Sequence, residues 1–310
     1  MMKNKSSLKL KKILRYIGHL KRFIVASSSL LPVLYYGNTA GFLNNFLARL
    51  QIRKFQKNIS LNDFGEFNHG KVNAERLRQK GYVFLPRNNT YNVALKKLKY
   101  YISSCISNNN NCAVSPNGAT VYVLDPEKIA VVSDFLTEEI KSIIFSYYKT
   151  GFYIKSVRIW RNSHVAAIDP RTTDVFSNTF HHDNTYVTGL RVFIYLNDNV
   201  NSRTGALKLH NISTSKKFVR SLKFFQRDLL MNSVVEQLNT SKSLKYFEGN
   251  SGDVAIANVQ ECLHSASVPG FNSQRDVLQF EIYPSNKLEK DARTLLDKVP
   301  RDILLDPYRV

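Results

Sequence analysis

The chain of 310 residues is 43% hydrophobic and contains 16 Tyr and 19 Phe, which excludes wholesale disorder and allows one large domain with an extension. Its formal charge of +20 is unevenly placed, because residues 1–62 hold twelve Lys or Arg and no acidic residue. The three cysteines, Cys105, Cys112 and Cys262, lack the spacing of a disulfide framework, so a reducing compartment is expected, with the cytoplasm as the default.

Residues 1–70 are predicted to form a basic, helical N-terminal extension. Apolar residues recur at helical spacing from Leu10 to Ile24 with cations between them, and a second apolar stripe runs from Phe42 to Leu50. Three interpretations fit: peripheral binding of residues 1–57 to an anionic membrane, docking on the core, and organellar targeting. The apolar run of residues 23–36 is too short to span a bilayer, which needs about twenty residues.

The body of the chain is predicted to begin with helices and to continue with strands. The expected helices are Asn73–Lys80, Tyr91–Ser107 and Pro126–Lys149, and the expected strands are Tyr82–Pro86, Thr120–Leu124, Phe152–Ser163, Thr179–Asp183, Leu190–Asn197, Ala206–Leu209, Ser243–Phe247, Val254–Leu263 and Val277–Tyr283. Such short, β-branched and aromatic strands can close as a double-sheet jelly roll. We therefore predict a mainly β fold with flanking helices in which residues 71–290 form a double-stranded β-helix and residues 291–310 a C-terminal tail. The basic helical pattern of residues 213–238 interrupts the strands and is interpreted as a lid.

The segment Phe180-His-His-Asp-Asn184 contains a His-x-Asp pattern. In an extended segment His181 and Asp183 lie on one face, since strand side chains alternate with period two. His182 then points to the opposite side and is expected to be a packed histidine. Two imidazoles and one carboxylate on one face of a metal leave the other positions open, as non-haem Fe(II) oxygenases require.

His264 is the predicted third ligand. It ends the apolar run that starts at Gly252, and residues 265–274 are predicted to form a turn before a strand that begins at Arg275. A hairpin would place Arg275 beside His264, where its guanidinium can grip a carboxylate through two parallel hydrogen bonds. The sequence thus predicts iron bound by His181, Asp183 and His264, and Arg275 as the clamp for 2-oxoglutarate.

Over residues 73–284 the chain resembles the phytanoyl-CoA dioxygenase family of Fe(II)/2-oxoglutarate oxygenases. Besides the four site residues, the resemblance includes Gly81-Tyr-Val-Phe-Leu-Pro86 after a helix, and Leu190-Arg-Val-Phe-Ile-Tyr-Leu-Asn-Asp198 followed by Gly205-Ala-Leu-Lys-Leu209. Where the family usually has Pro-Gly-Ser-His, this chain has His210-Asn-Ile-Ser-Thr214, which bears on substrate contacts from that loop and not on the metal ligands.

The resemblance implies a hydroxylase that uses Fe(II), 2-oxoglutarate and O2 and releases succinate and CO2. Family members that halogenate replace the carboxylate at the position of Asp183 with a small residue, so hydroxylation is favoured. A nucleic-acid demethylase is disfavoured because Glu281 stands where that branch has a second Arg. The expected substrate is a small anionic metabolite, lipid or saccharide. Two alternatives stay open: a basic nucleic-acid-binding protein, which lacks motif support, and a metal-binding relative without catalytic activity.

Three further arginines lie in or beside the predicted strands. Arg158, Arg161 and Arg191 are each interpreted either as a contact to a substrate carboxylate or phosphate or as an ordinary cation at a sheet edge. The sequence does not choose between these roles.

Overall fold

A computed structural model describes residues 49–57, 70–108, 110–115, 117–164, 178–183, 189–221 and 237–299. The helices are α1 (Lys71–Lys80), α2 (Asn92–Ser107), α3 (Glu138–Tyr148), α4 (Ile212–Ser221) and α5 (Ala292–Asp297). The strands are β1 (Tyr82–Leu85), β2 (Cys112–Val114), β3 (Thr120–Val123), β4 (Gly151–Ser163), β5 (Leu190–Tyr195), β6 (Leu207–Leu209), β7 (Lys245–Phe247), β8 (Val254–Ala257), β9 (His264–Ala266) and β10 (Gln274–Ser285).

Two antiparallel sheets form the β structure. The major sheet has the order β1-β8-β5-β10-β4-β3-β2, and the minor sheet has the order β7-β6-β9. An isolated bridge to His264 of β9 adds His181 to the open edge of the minor sheet. From β5 onward the chain passes repeatedly between the two sheets, at β5–β6, β7–β8, β8–β9 and β9–β10. This arrangement confirms a mainly β, jelly-roll-like core with helices.

The two faces of the major sheet pack against different partners. One face contributes alternate residues to a large apolar core shared with the helices, including Leu77 of α1, Leu98 of α2, Phe145 of α3, Leu296 of α5, Val192 of β5 and Phe280 of β10. The other face meets the minor sheet through a smaller cluster that includes Phe193, Tyr195, Leu207, Leu209 and Val277. We call the space between the sheets the interior of the jelly roll.

The prediction of one long helix over residues 126–149 is wrong in its first half. Two 3₁₀ segments, Pro126–Lys128 and Ala130–Phe135, precede α3. The backbone of Asp125 is left-handed (φ 47°), and the side chain of Thr137 caps α3 by accepting from the amide of Ile140. A 3₁₀ turn and a Thr cap therefore set the start of the helix.

The continuous strand expected to end at His264 is also wrong. β8 ends at Ala257 in the major sheet, and a turn in which Asn258 accepts hydrogen bonds from the amides of Glu261 and Cys262 carries the chain to β9 in the minor sheet. β9 pairs with β6, whereas β10 pairs with β4 and β5. His264 and Arg275 are therefore not partners in a hairpin but belong to opposite sheets.

Parts of the two terminal segments contact the core. In the helical segment 49–57, Ile52 packs against the large core, and the side-chain amide of Gln56 donates to the carbonyl of Tyr148 at 2.9 Å. Leu295 and Leu296 of α5 are buried in the same core. The basic stripe of residues 10–24, the apolar run 23–36 and residues 222–236 of the expected lid lie outside the described residues. No helix among the described residues has the length and apolar character to cross a membrane.

Candidate metal centre

Backbone pairing brings His181 and His264 together. Each amide donates to the carbonyl of the other residue at 3.0 Å, so the two residues face each other as an antiparallel pair. Directly opposed residues in such a pair project their side chains to the same side. The imidazole centroids consequently lie 4.2 Å apart.

Both imidazoles are oriented through Nδ1. Nδ1 of His181 lies 2.8 Å from the carbonyl oxygen of Thr179, and Nδ1 of His264 lies 3.2 Å from that of Cys262. A carbonyl oxygen only accepts, so each Nδ1 carries the proton and each Nε2 keeps the lone pair. This arrangement is the usual one for a metal-binding histidine, whose other nitrogen donates to a fixed acceptor.

Asp183 completes the group. Its Oδ1 lies 3.7 Å from Nε2 of His181 and 3.5 Å from Nε2 of His264. Burial raises the pKa of Asp183, but the neighbouring His264, Arg191 and His181 outweigh it and hold that pKa well below its usual value. The side chain is therefore a carboxylate and supplies the negative charge of the donor group.

The donor set fits a divalent transition-metal ion. One donor atom from each of the three residues lies within 4.8 Å of the others. Adjacent donors that are each about 2.1 Å from one ion are about 3 Å apart, so small side-chain shifts would close the observed gaps. Two histidines and one carboxylate on one side leave positions for further ligands, which is the pattern of non-haem Fe(II) oxygenases.

Arg275 occupies the opposite sheet. It alternates with Val277 on β10, and Val277 belongs to the interior cluster, so Arg275 also faces the interior. His264 faces the same space, because it pairs directly with Leu209 of that cluster. His264 and Arg275 are thus not hairpin neighbours; they project into the interior from opposite sheets.

The guanidinium of Arg275 is buried without an acidic partner among the described residues. Nη1 donates to the carbonyl of Gly205 at 2.5 Å, while Nε has no hydrogen-bond partner. Burial lowers the pKa of Arg275 below its usual value, and the nearby Tyr195 only partly opposes this effect. A buried cation of this kind is costly unless an anion joins it, so the residue is suited to bind a carboxylate from a ligand.

Arg191 lies on the other side of Asp183. Its Nε and Nη2 lie 3.2 and 3.0 Å from Oδ2 of Asp183, and its Nη1 forms an ion pair with Oε1 of Glu281 at 2.7 Å. Arg191 is 6% exposed and belongs to β5, which lies between β8 and β10. It is therefore not a cation at a sheet edge but a buried residue of a central strand that contacts a member of the triad.

Neither a protein-family model nor a curated protein sequence matches this chain. Among solved structures it is similar to the non-heme alpha ketoglutarate dependent carbocyclase SnoK from nogalamycin biosynthesis, with a TM-score of 0.51 and 16% identity over 71% of this chain and 85% of SnoK. It is also similar to the alpha ketoglutarate dependent epimerase SnoN from the same biosynthesis, with a TM-score of 0.50 and 14% identity over 74% of this chain and 88% of SnoN. The chain has the fold of these non-haem enzymes.

The remaining candidates separate into exposed and structural residues. Arg161 makes a two-pronged ion pair with Asp276, at 2.7 Å for both contacts. Arg158 is exposed and pairs on β4 with Gln279 of β10. Sγ of Cys262 points to the carbonyl of Lys80, 3.6 Å away, and burial raises the pKa of this thiol, so Cys262 packs behind the metal centre.

Sequence reasoning missed the role of Arg191 and Glu281. A signal was present, because both are charged residues inside apolar strand patterns, and a charge in a buried strand requires a partner. The sequence could not name that partner, since Arg191 and Glu281 are ninety positions apart and meet only through strand pairing.

His210, which begins the segment that replaces the family's Pro-Gly-Ser-His, is fully buried. Its Nδ1 lies 2.9 Å from Oγ of Ser243. Burial lowers the pKa of His210 from 6.5 to about 4, so the unfolded chain binds a proton more readily between these values. The stabilising contribution is complete above pH 6.5 and is lost as the pH falls toward 4, by up to roughly 3 kcal/mol.

We therefore expect the free energy of unfolding of the metal-free protein to fall between pH 6.5 and 4, and to fall less steeply in His210→Gln. Urea titrations at several pH values measure both slopes. His182, whose pKa burial also lowers to about 4, contributes equally to both proteins, so the difference isolates His210. Identical slopes would contradict the assignment.

Proposed function

We propose that the protein is an Fe(II)/2-oxoglutarate-dependent dioxygenase that hydroxylates a C–H bond of a small anionic metabolite, lipid or saccharide and releases succinate and CO2. The observation that carries the proposal is the triad His181, Asp183 and His264, facing a buried and uncompensated Arg275 across the interior. Neither feature alone specifies the co-substrate. Together they provide a metal site and, in the same interior, a cation for the far carboxylate of a dicarboxylic keto acid.

The four site residues would have two separate binding roles. His181, Asp183 and His264 would hold the metal on one side, and Arg275 would bind the distal carboxylate of 2-oxoglutarate through its unpaired Nε and its outer amino groups. A bound ferrous ion with its keto acid supplies the activation of dioxygen that couples oxidative decarboxylation to C–H hydroxylation. Apolar neighbours of Arg275 in the interior, such as Val277 and Leu207, exclude water and so strengthen the ion pair.

Hydroxylation is the proposed outcome because Asp183 is present. A carboxylate at this position occupies the space in which halogenating members of the family that this chain resembles bind halide. The phytanoyl-CoA dioxygenase family is the proposed affiliation, on the strength of the motifs at residues 81–86 and 190–209.

An anionic substrate is proposed from charge and position. Arg158 lies opposite Gln279, and Gln279 lies opposite Phe193 of the interior cluster, so all three project to the interior side of the major sheet. Arg158 is exposed there and has no acidic partner among the described residues. The net charge of +20 would also raise the local concentration of anions around the protein.

Anaerobic titration of the whole protein with Fe(II) and then 2-oxoglutarate tests the proposal without knowledge of the substrate. We expect the weak visible charge-transfer absorption of the iron–keto acid chelate to appear in proportion to protein. Succinate is the matched control, since it offers the carboxylate for Arg275 but no keto oxygen for the metal, and should give no band. Absence of both metal binding and the band would overturn the proposal. Chelate formation without succinate release under air, across candidate substrates, would instead favour the catalytically inactive relative.

A further inference from the structure

A row of alternating charges with a buried centre begins at Asp183 and continues along the major sheet. Arg191 contacts Asp183 on one side and Glu281 on the other, and Glu281 contacts Nζ of Lys155 at 3.3 Å. The side chains of Arg191 and Glu281 are 7% and 3% exposed. Two anions alternate with two cations, so the row is electrically balanced before any metal binds.

The contacts of Arg191 distinguish the two oxygens of Asp183. Two guanidinium nitrogens, Nε and Nη2, donate to Oδ2, whereas Oδ1 is the oxygen that approaches both imidazoles. Rotation of the carboxylate would break both hydrogen bonds. Arg191 therefore presents one defined oxygen of Asp183 to the metal position and keeps the other away from it.

Arg191 is itself fixed by its surroundings. It lies directly opposite Glu281 in the pairing of β5 with β10. Glu281 is held by three further contacts, because Ser156 Oγ donates to Oε2 at 2.9 Å, and Tyr283 Oη and Lys155 Nζ contact Oε1 at 2.9 and 3.3 Å. A rigid strand pair thus supports the guanidinium that orients the ligand.

We propose that Arg191, held in place by Glu281, is a positioning residue that makes Asp183 a one-oxygen ligand and so keeps positions on the metal open for the co-substrate and dioxygen. This inference rests on the proposed function. Second-sphere partners of this kind usually change metal affinity 10- to 100-fold. The charge of Arg191 opposes the metal only weakly, since Glu281 compensates it at 2.7 Å.

The test measures affinity of the whole protein for Co(II), a redox-stable substitute for Fe(II), together with thermal stability. We expect Arg191→Gln to bind Co(II) about 10- to 100-fold more weakly than the unaltered protein. Arg191→Lys should also be weakened, because one ammonium cannot donate twice to Asp183 and still reach Glu281. Unchanged or tighter Co(II) binding by a folded Arg191 variant would overturn the proposal.

Arg161→Gln is the matched control. Arg161 also makes a two-pronged ion pair with a buried carboxylate, Asp276, but touches none of the triad. It should lose thermal stability while its Co(II) affinity stays within about twofold of the unaltered protein. Equal losses of affinity in Arg161→Gln and Arg191→Gln would mean that both act through general stability, which would overturn the positioning role.

Glu281→Gln keeps the shape of the side chain and provides a second test of the proposal if an Arg191 variant does not fold. It should weaken Co(II) binding less than Arg191→Gln does, and the double variant should bind no more weakly than Arg191→Gln alone, because both residues act along one path. Fully additive losses would show that Glu281 acts independently. If the unaltered protein binds no Co(II), the proposed function itself fails, whereas normal binding in every variant refutes only the role of Arg191.

Discussion

Asp183→Ala is expected to abolish metal binding and every metal-dependent reaction of the protein. Asp183 is the single anionic donor of the triad, and its Oδ1 lies 3.7 and 3.5 Å from the Nε2 atoms of His181 and His264. Loss of a direct ligand should exceed the effect of a second-sphere change, so we expect metal affinity to fall by more than about 100-fold. No iron–keto acid absorption should form under anaerobic conditions.

Thermal stability gives an independent measurement. A metal that binds only the folded state stabilises it by about 2.7 kcal/mol when its concentration is 100 times its Kd. The unaltered protein should therefore melt at a higher temperature when Co(II) is added, and Asp183→Ala should not. A full Co(II)-dependent shift in Asp183→Ala would contradict the assignment of Asp183 as a ligand.

Two buried histidines provide a matched pair of variants. His264 and His210 are 6% and 0% exposed, and their backbones are joined to neighbouring strands, but only His264 belongs to the donor group. His264→Ala should lose metal binding, whereas His210→Ala should lose stability and retain metal binding. Similar metal affinities in these two variants would refute the site.

The local sequence pattern predicted the longest strands, in which β-branched and aromatic residues recur. β4 and β5 were expected within two residues of their observed bounds and β10 within three, because β-branched and aromatic residues recur through all three strands. The expected extended segment at 179–183 reduces to one bridge, yet that bridge suffices to place His181 against His264. Alternation over three residues was enough to bring Asp183 to the same face.

Membership in one sheet or the other was not encoded locally. Residues 254–264 contain Asn258, Gln260 and Glu261 among apolar residues, and the first two fit alternate exposed positions of one strand as well as a turn, so the pattern alone does not mark the turn at Asn258 that moves the chain between sheets. The same limit applies to Arg275, whose predicted neighbour in a hairpin is in fact a residue on the opposite wall. Side chains that meet across the interior depend on the packing of the two sheets, which no single strand specifies.

The charged row shows a different limit. Arg191 and Glu281 interrupt apolar strands. Considered one at a time, Arg191 is predicted to lie at a sheet edge and Glu281 has no predicted role. Their pairing becomes visible only when β5 and β10 are known to be neighbours in register. Long-range ion pairs of this kind carry no local signal, although a charge inside an otherwise buried strand marks where one is needed.

Arg275→Met is expected to remove tight binding of 2-oxoglutarate while leaving metal binding intact. Removal of one member of a buried charge pair usually costs about 2–5 kcal/mol, which corresponds to a loss of affinity from tens to thousands of fold. His181 and His264 belong to the other sheet and Asp183 is held by Arg191, so Co(II) affinity should stay near that of the unaltered protein. Titration of the Co(II)-loaded protein with 2-oxoglutarate measures this loss.

The same substitution should stabilise the protein in the absence of ligand. Arg275 is a buried cation whose Nε has no partner and whose pKa burial lowers, so a methionine of similar length removes a cost of desolvation. The melting temperature of ligand-free Arg275→Met should therefore rise, and the further rise that 2-oxoglutarate gives to the unaltered protein should disappear. Arg161→Met is the control: it breaks a complete ion pair with Asp276, so it should be destabilised and should still bind 2-oxoglutarate. Unchanged 2-oxoglutarate affinity in Arg275→Met would show that the co-substrate clamp lies elsewhere.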